Sequence, residues 1–522
     1  MQRWQPRQDL SKKEQILMKR LTRTRKLFAF LRMHRLDLFD DAFQAELDGM
    51  YRDTGAGQEP IPPAQLCMAL ILQGYLGVSD AEAVELTIVD ARWQMVLDCM
   101  AAEEPLFAQG TLQQFRQRLV RDNMDRRLLE RTRELAKTSK GFDWKRLPKE
   151  LRVAVDSRPL EGAGRVEDTL NLLGHAARKI VEGAALLTGR EVDDVSRLAG
   201  IPLLRSKSIK AALDINWNDP QQRDYALETL LSQVVSLHNW LQKNKLNAAP
   251  EVQPYVAAVA QVRAQDLDET ANGKPRIRQE VARDRRVSIE DHQMRHGRKS
   301  KSKRFNGYKE HLAADLDTDL IVACAVTPAN VPEDVGAPQL GEDIKRQRIR
   351  IGELSIDRAY INSTLVADVE NSKGTILCKP WSGRNGRKEL FKKADFKLDM
   401  RAMTITCPAG HVEPFEQGQS VEFDPEVCGP CPMRDKCTYS ASGGRTIQIA
   451  DDERRQQRLR KIVATRAGRT RLRERVAIEH RLAHVAARKG PKARYLGTRA
   501  NLYDLRRAAT IQNLETIQRK AA

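Results

Sequence analysis

The chain has no run of about 18 uninterrupted apolar residues, which excludes a helix able to span a bilayer. Its first residues, MQRWQPRQDLSKK, lack the apolar core of a secretory signal, so a cytoplasmic protein with no membrane partner is expected. Thiols stay reduced in that compartment, and the eight cysteines are therefore not read as a disulfide framework. Acid is also in deficit: 70 Asp and Glu against 89 Lys and Arg leave a formal charge of +19. A basic excess of this size on a folded chain points to a polyanion, usually nucleic acid; the alternative is a surface charged for solubility. At 522 residues, 41% of them hydrophobic and 30% charged, the chain can hold two or three domains with real cores.

From Pro62 the pattern is helical. PPAQLCMALILQGYLG is an apolar helix opened by proline and closed at Gly74–Gly77, and Leu86, Val89, Trp93 and Leu97 keep helical spacing. Ser79 with Glu82, and Thr111 with Gln114, have the spacing of capping boxes. A second helical stretch runs from about Val166 to Gln265. Arg283–Arg304 then places nine Arg and Lys in a Gly- and Ser-containing segment without apolar periodicity, which suits a loop tracking phosphates or a basic linker. Arg295, Arg298, Lys299, Lys301, Lys303, Arg304 and the following Lys309 are its candidate DNA contacts. FNGYKEHLAADLDTDLIVACAVTPAN alternates and turns at Asp315–Asp319, as a β-hairpin does, and GTILCKPW reads as a further strand. The last sixty residues are helical and basic, with ten Arg and Lys between Arg454 and Arg475.

Three acids stand out. LRVAVDSRPL, bounded by Pro148 and Pro159, reads as a short buried strand ending at Asp156. ELSIDRAY puts Asp357 after a second apolar run, and Glu479 sits in the helical RERVAIEHRLAH. Strand acid, strand acid, helix acid is the layout of a ribonuclease-H-like site for phosphoryl transfer. Carboxylates on rigid backbone can hold two Mg²⁺ ions for phosphodiester cleavage. A polar residue closing a strand is otherwise a turn former, and Glu479 has Arg475 at i−4 for an ordinary surface ion pair.

Cys407, Cys428, Cys431 and Cys437 form C-x20-C-x2-C-x5-C, a spacing suited to structural Zn²⁺, with His411 a substitute ligand. The segment is expected to be too short to build a core by itself. Free thiols are the alternative. Cys67, Cys99, Cys324 and Cys378 fall in apolar runs and read as core.

Across about residues 40–515 the chain resembles the DDE transposases of bacterial insertion sequences, in the eleven-eighty-two group of the insertion-sequence-five superfamily. The resemblance rests on PPAQLCMALIL, DARWQMVLDC, GTLQQFRQRL, VDSRPLEG, HGRKSKSKRFNGYKEHLAAD, VTPANVPED, SIDRAYIN, CPAGH with CGPCPMRDKC, and the stretch from RVAIEHRLAH to RRAATIQNL. It implies an α/β ribonuclease-H-like catalytic domain over 146–515, broken by a helical insertion at 165–275 and a small Cys-rich insertion at 400–445. A helical, DNA-binding N-terminal domain over 1–145 precedes it. The DDE triad falls on Asp156, Asp357 and Glu479, with Mg²⁺ or Mn²⁺ as cofactor. Of the Tyr-Arg-Glu-Lys signature of related enzymes, Arg475 matches the arginine, whereas Leu472 and Ala486 stand at the tyrosine and lysine positions. Arg488 or Lys489 is the candidate for the missing lysine's phosphate contact. Ala359 stands where the second-aspartate motif often has glycine. The implied activity is binding of terminal inverted repeats, cleavage of the element's ends and joining of their 3′-hydroxyls to target DNA by at least a dimer. The rivals are a decayed transposase acting as a DNA-binding protein or repressor, and a ribonuclease-H-like nuclease without strand transfer.

Overall fold

The computed structural model describes residues 2–22, 25–51, 60–100, 102–206, 208–300, 302–381 and 390–521. At its centre is a mixed sheet whose five main strands are β1 (Leu151–Glu161), β2 (Arg304–Asp315), β3 (Ile321–Pro328), β4 (Ile351–Ser355) and β5 (Thr375–Leu377). Their order is β3-β2-β1-β4-β5. The first three form an antiparallel meander, while β4 runs parallel to β1 and β5 parallel to β4. This mixed α/β architecture is compatible with the ribonuclease-H-like expectation.

The two faces follow from strand alternation. Val153, Val155, Leu354 and Ile356 share one core with Leu340, Ile344, Leu365 and Val366 of helices Ala337–Arg346 and Thr364–Asn371. Ala154, Leu312 and Cys324 face the other way, against Ile478 and Leu482 of helix Val476–Lys489 and Leu502 and Leu505 of helix Thr498–Ala521. Asp156 shares parity with Ala154, so it lies on the face covered by the helix that carries Glu479.

β1 does not stop at Asp156 but continues through Pro159 to Glu161. The parallel neighbour β4 pairs only Leu151–Ala154, so Pro159 lies beyond its reach. Glu161, two residues on and of the same parity, turns its N–H away from β2 to the Pro491 carbonyl. Proline is tolerated there because that edge has no ladder bond for it to donate. Gly307 marks the start of the long pairing with β1: its φ is +152°, and a Cβ there would lie 2.2 Å from the Leu160 carbonyl oxygen.

The Arg283–Arg304 segment is more ordered than a loop. Arg295–Arg298 pairs with Arg304–Gly307 as a sixth, short strand, making a hairpin in which the Lys299 N–H donates to the Lys303 carbonyl. Helix Pro63–Leu76 ends at Gly77 in the left-handed conformation, and Ser79 caps the next helix by accepting from the Glu82 N–H. Thr111 caps nothing: its helix already begins at Gln109, putting Thr111 inside the first turn.

The N-terminal helices do not close their own core. Ile511, Leu514 and Ile517 of the C-terminal helix lie among Phe28, Leu72, Trp93 and Phe115. The same helix meets the sheet, where the Asn513 amide accepts from the Ile321 N–H and donates to the Ile321 carbonyl. One buried rod therefore serves both layers. Residues between β1 and the basic hairpin form helices Thr169–Thr188, Pro220–Lys243 and Gln253–Asp266, with a core of their own. Among the described residues no helix is long and apolar enough to cross a membrane.

Candidate active site

The sheet places two of the acids side by side, and an arginine links the third to one of them. Ala154 of β1 is in register with Ser355 of β4, and Asp156 and Asp357 each stand two residues further along their chains, on the same face. Asp357 closes its strand as the N-cap of a short turn, its Oδ1 accepting from the Arg358 N–H at 2.7 Å. Glu479 is in the first turn of helix Val476–Lys489. Arg475, which caps that helix, links two of them: Nη1 donates to Asp156 Oδ2 at 2.7 Å and Nη2 to Glu479 Oε1 at 3.1 Å. The i−4 pair is thus no isolated surface contact, because the same guanidinium reaches across to the sheet.

Burial pushes the Asp156 carboxyl above its ordinary range, and the nearby Asp357 charge adds to that. The Ser157 N–H and Arg475 oppose both effects. Glu333 is a fourth carboxyl in this neighbourhood, on the turn after β3, raised by burial and by Asp156 and Asp357. Sequence reasoning assigned Glu333 no role. The only signal was its place in VTPANVPED, since an acid after Pro reads as a loop residue. Beneath the acids, His311 hydrogen-bonds Tyr360 (Nδ1 to Oη, 2.6 Å) and Thr327 (Nε2 to Oγ1, 2.9 Å), with its ring fully buried. Burial, reinforced by Lys309, lowers the His311 pKa to about 3. Tyr360 is held well above its ordinary value by burial and by Glu333 and Asp156.

Hard carboxylate oxygens on rigid backbone suit Mg²⁺ or Mn²⁺, and Asp156, raised chiefly by burial with the Asp357 charge a lesser cause, is a carboxyl whose ionised form a cation would favour. In this arrangement Arg475 takes one oxygen of Asp156 and one of Glu479. Among the described residues no group of three or more His, Cys, Asp or Glu is drawn into a metal-holding cluster.

The candidate DNA contacts divide. Arg298, Lys299, Lys303 and Arg304 are exposed on the basic hairpin and form no ion pair with a described residue. Lys301 lies outside the described residues. Arg295 is bound to Asp284 at 2.7 Å. Lys309 is half-buried and donates to the Val331 carbonyl at 2.7 Å. Arg488 pairs with Glu515 at 2.6 Å and lies over the Tyr75 ring. Lys489 is a correction: its side chain is 3% exposed, fixed between Glu310 and Asp504, so it has no surface to offer a phosphate.

The Cys-rich segment also departs from expectation, because it does build a core. Phe396, Ile405, Phe415, Val421, Phe423, Ile447 and Ile449 are buried together, with Cys407, Cys428 and Cys437 packed on them. The strands there are three-residue pieces, Lys397–Asp399, Thr404–Thr406 and Val412–Pro414 in one sheet and Ser420–Glu422 with Thr446–Gln448 in another. Cys407, Cys428, Cys431, Cys437 and His411 line one cavity of about 20 Å³, the thiols unbonded to each other. That is room for a water-sized occupant; the thiols are not drawn into a metal-holding group.

Residues 266–514 match a family model described as "Transposase DDE domain", and residues 19–118 match one described as "Transposase domain (DUF772)". No curated protein and no solved structure matches the chain. The first match contains Asp357 and Glu479 but begins after Asp156, which is joined to them by the pairing of β1 with β2 and β4.

Proposed function

We propose, from the insertion-sequence transposase family that the two matches indicate, that the protein cuts the ends of its mobile element and joins the freed 3′-hydroxyls to target DNA. We place it in the eleven-eighty-two group on the motifs quoted above. The observation that carries the reading is the placing of Asp156 and Asp357 on one sheet face, with Arg475 bridging Asp156 to Glu479 on the helix that covers it. Water opens a phosphodiester at the element's end and leaves a 3′-hydroxyl. That hydroxyl then attacks a target phosphorus and displaces the target's own 3′-oxygen, with no covalent bond to the enzyme.

In this reading Asp156, Asp357 and Glu479 are the ligands of the divalent ion, Mg²⁺ or Mn²⁺. When bound, the ion activates the attacking oxygen and offsets charge on the leaving one. The chain's own contribution is position. β1 and β4 fix the two aspartates by their register, and the Thr327–His311–Tyr360 chain fills the space below them. Arg475 orients Asp156 and Glu479 toward one another and supplies positive charge where a phosphate would enter. Two ends must be held together for joining, so the active form is a dimer or larger on double-stranded DNA. The four cysteines bind a structural Zn²⁺ that stiffens the small core on which they sit.

Asp156→Asn, Asp357→Asn and Glu479→Gln test the triad. Each keeps its shape but loses the charge that holds a divalent ion, so Mg²⁺-dependent cleavage of a duplex carrying the element's end should vanish while binding persists. Near wild-type cleavage by any one variant would remove that residue from the site. Cleavage without a joined product would make the protein a nuclease.

A further inference from the structure

Between β4 and the Cys-rich segment lies a cleft lined by Asp357, Glu479 and an unusual share of cations. The ordinary expectation for a charge run such as Arg454–Arg475 is a solvated helical face. The structure divides these arginines into two sets instead. Arg455 and Arg458 both reach Glu370, each at 2.7 Å, and Arg471 reaches Glu353. These pairs hold helices Glu453–Ala464 and Arg466–Glu474 to the sheet domain. Arg469 and Arg473, on the second of those helices, line the cleft and are exposed, and they form no ion pair with a described residue. Arg358 after β4, Lys379 after β5 and Lys392 at the start of the Cys-rich segment line the same cleft and are likewise without a carboxylate partner among the described residues.

Five cations from four separate pieces of chain thus line one cleft with Asp357 and Glu479 and without an ion-pair partner among the described residues, while the third acid there, Glu453, is taken by Lys393 and Arg460. Unpaired positive charges held this close repel, and the arrangement costs free energy unless an anion fills it. Distinct acids were available nearby, since Glu370 and Glu353 neutralise the neighbouring arginines. Cations carried by four separate segments suit a linear polyanion better than a single small anion.

We propose that this cleft, rather than the basic hairpin alone, is the track for the DNA backbone as it enters the carboxylates. Arg469 and Arg473 contribute from helix Arg466–Glu474, and Arg358, Lys379 and Lys392 from the segments after β4, after β5 and before the Cys-rich core. The inference rests on the transposase reading and adds to it the path of the DNA. Phosphate contacts made here release counterions, and each contributes about 0.9 to the slope of log affinity against log salt.

The test uses the full chain and a fluorescently labelled duplex of arbitrary sequence, because backbone contacts are indifferent to sequence. Anisotropy titrations over a salt series compare wild type with the doubles Arg469→Gln/Arg473→Gln and Lys379→Gln/Lys392→Gln. Each double should lower the slope by about 1.8, so that it loses roughly ten-fold less affinity than wild type over a four-fold rise in salt. The Lys379→Gln/Lys392→Gln double should melt as wild type does, since both side chains are exposed and bind no carboxylate; the arginine double also loses the bonds from Arg469 to the Val463 and Ala464 carbonyls and should melt slightly lower, so the lysine double is the control for stability. Wild-type slope in both doubles, with wild type itself binding the duplex, would overturn the track and leave the transposase reading standing. Absence of salt-dependent binding by wild type would overturn both.

Discussion

Lys489→Met separates a phosphate contact from a structural lysine. The ammonium lies between Glu310, which is fully buried, and Asp504, whose Oδ2 is 3.1 Å away, and the lysine side chain itself is 3% exposed. Methionine keeps the length and most of the packing but removes the charge. Breaking a buried pair by deleting one partner costs about 3–5 kcal/mol, because the other charge is left without compensation. Here the loss is softened: Arg158 still holds Glu310 at 2.6 Å and Arg507 still holds Asp504 at 2.7 Å. The low end of that range, about 3 kcal/mol, is expected. A chain with several cores will not unfold in one step, so the quantity to follow is the transition of the sheet domain in urea, read through its tryptophan-free core by hydrogen exchange at β2 and β3. DNA binding measured well below that transition should keep the wild-type salt slope. A stability loss under about 1 kcal/mol together with a slope lowered by about 0.9 would refute the burial argument and restore Lys489 to the phosphate contacts.

The remaining expectations are independent of that one. His311 is neutral in the fold, with its pKa depressed to about 3, whereas an unfolded histidine titrates near 6.5. Its contribution to stability is therefore complete above about pH 6.5 and is lost as the pH falls toward 3; His311→Gln should flatten the drop in urea midpoint between neutral and acid pH, and an unchanged drop would show that His311 does not govern it. Protein purified without chelators should carry about one Zn²⁺ per chain, and Cys431→Ser should release it while the Cys-rich core stays partly folded on its own apolar residues. Metal analysis without zinc, and four thiols that alkylate freely in the native protein, would dispose of the zinc.

Much of the carboxylate site was legible because it lies on regular elements. Alternation in LRVAVD and ELSID identifies two strands, and the parity that buries Val153, Val155, Leu354 and Ile356 puts both aspartates on the opposite face. The sequence could not say that β1 continues beyond Asp156, since proline normally ends such a run. Only the absence of a β4 partner there makes Pro159 harmless. Lys489 was misread for a related reason. A lysine in the last turn of a basic helix ordinarily faces water, and its burial depends on Glu310, 179 residues earlier, and on Asp504 in the next helix. The Cys-rich segment is expected to need metal to fold because it is short for a core of its own, yet its scattered phenylalanines and isoleucines do form one. Five three-residue strands fold them onto one another. Glu333 was hidden for want of any periodic element to place it.

The three acids are 201 and 122 residues apart in sequence, so their geometry depends on what resists relative movement of the pieces that carry them. For Asp156 and Asp357 that is the β1–β4 register. For Glu479 it is less direct, because its helix meets the sheet only through side chains. Ile478 and Leu482 anchor that helix to the face shared by Ala154 and Leu312. At its far end Lys489 ties it to Glu310 on β2 and to Asp504 on the C-terminal helix. The C-terminal helix is in turn fixed by Arg506, which bonds Asp343 behind the sheet and Asp125 in the N-terminal helices. Apolar contacts alone would let such a helix slide by a residue with little loss, since one leucine row fits a groove much as the next does. Buried ion pairs do not tolerate that slip, because each displaced charge would be left in a medium that solvates it poorly. The network around Lys489 therefore works as a register lock at one end of the helix, and Arg475 meets Asp156 at the other. The position of Glu479 is set between them.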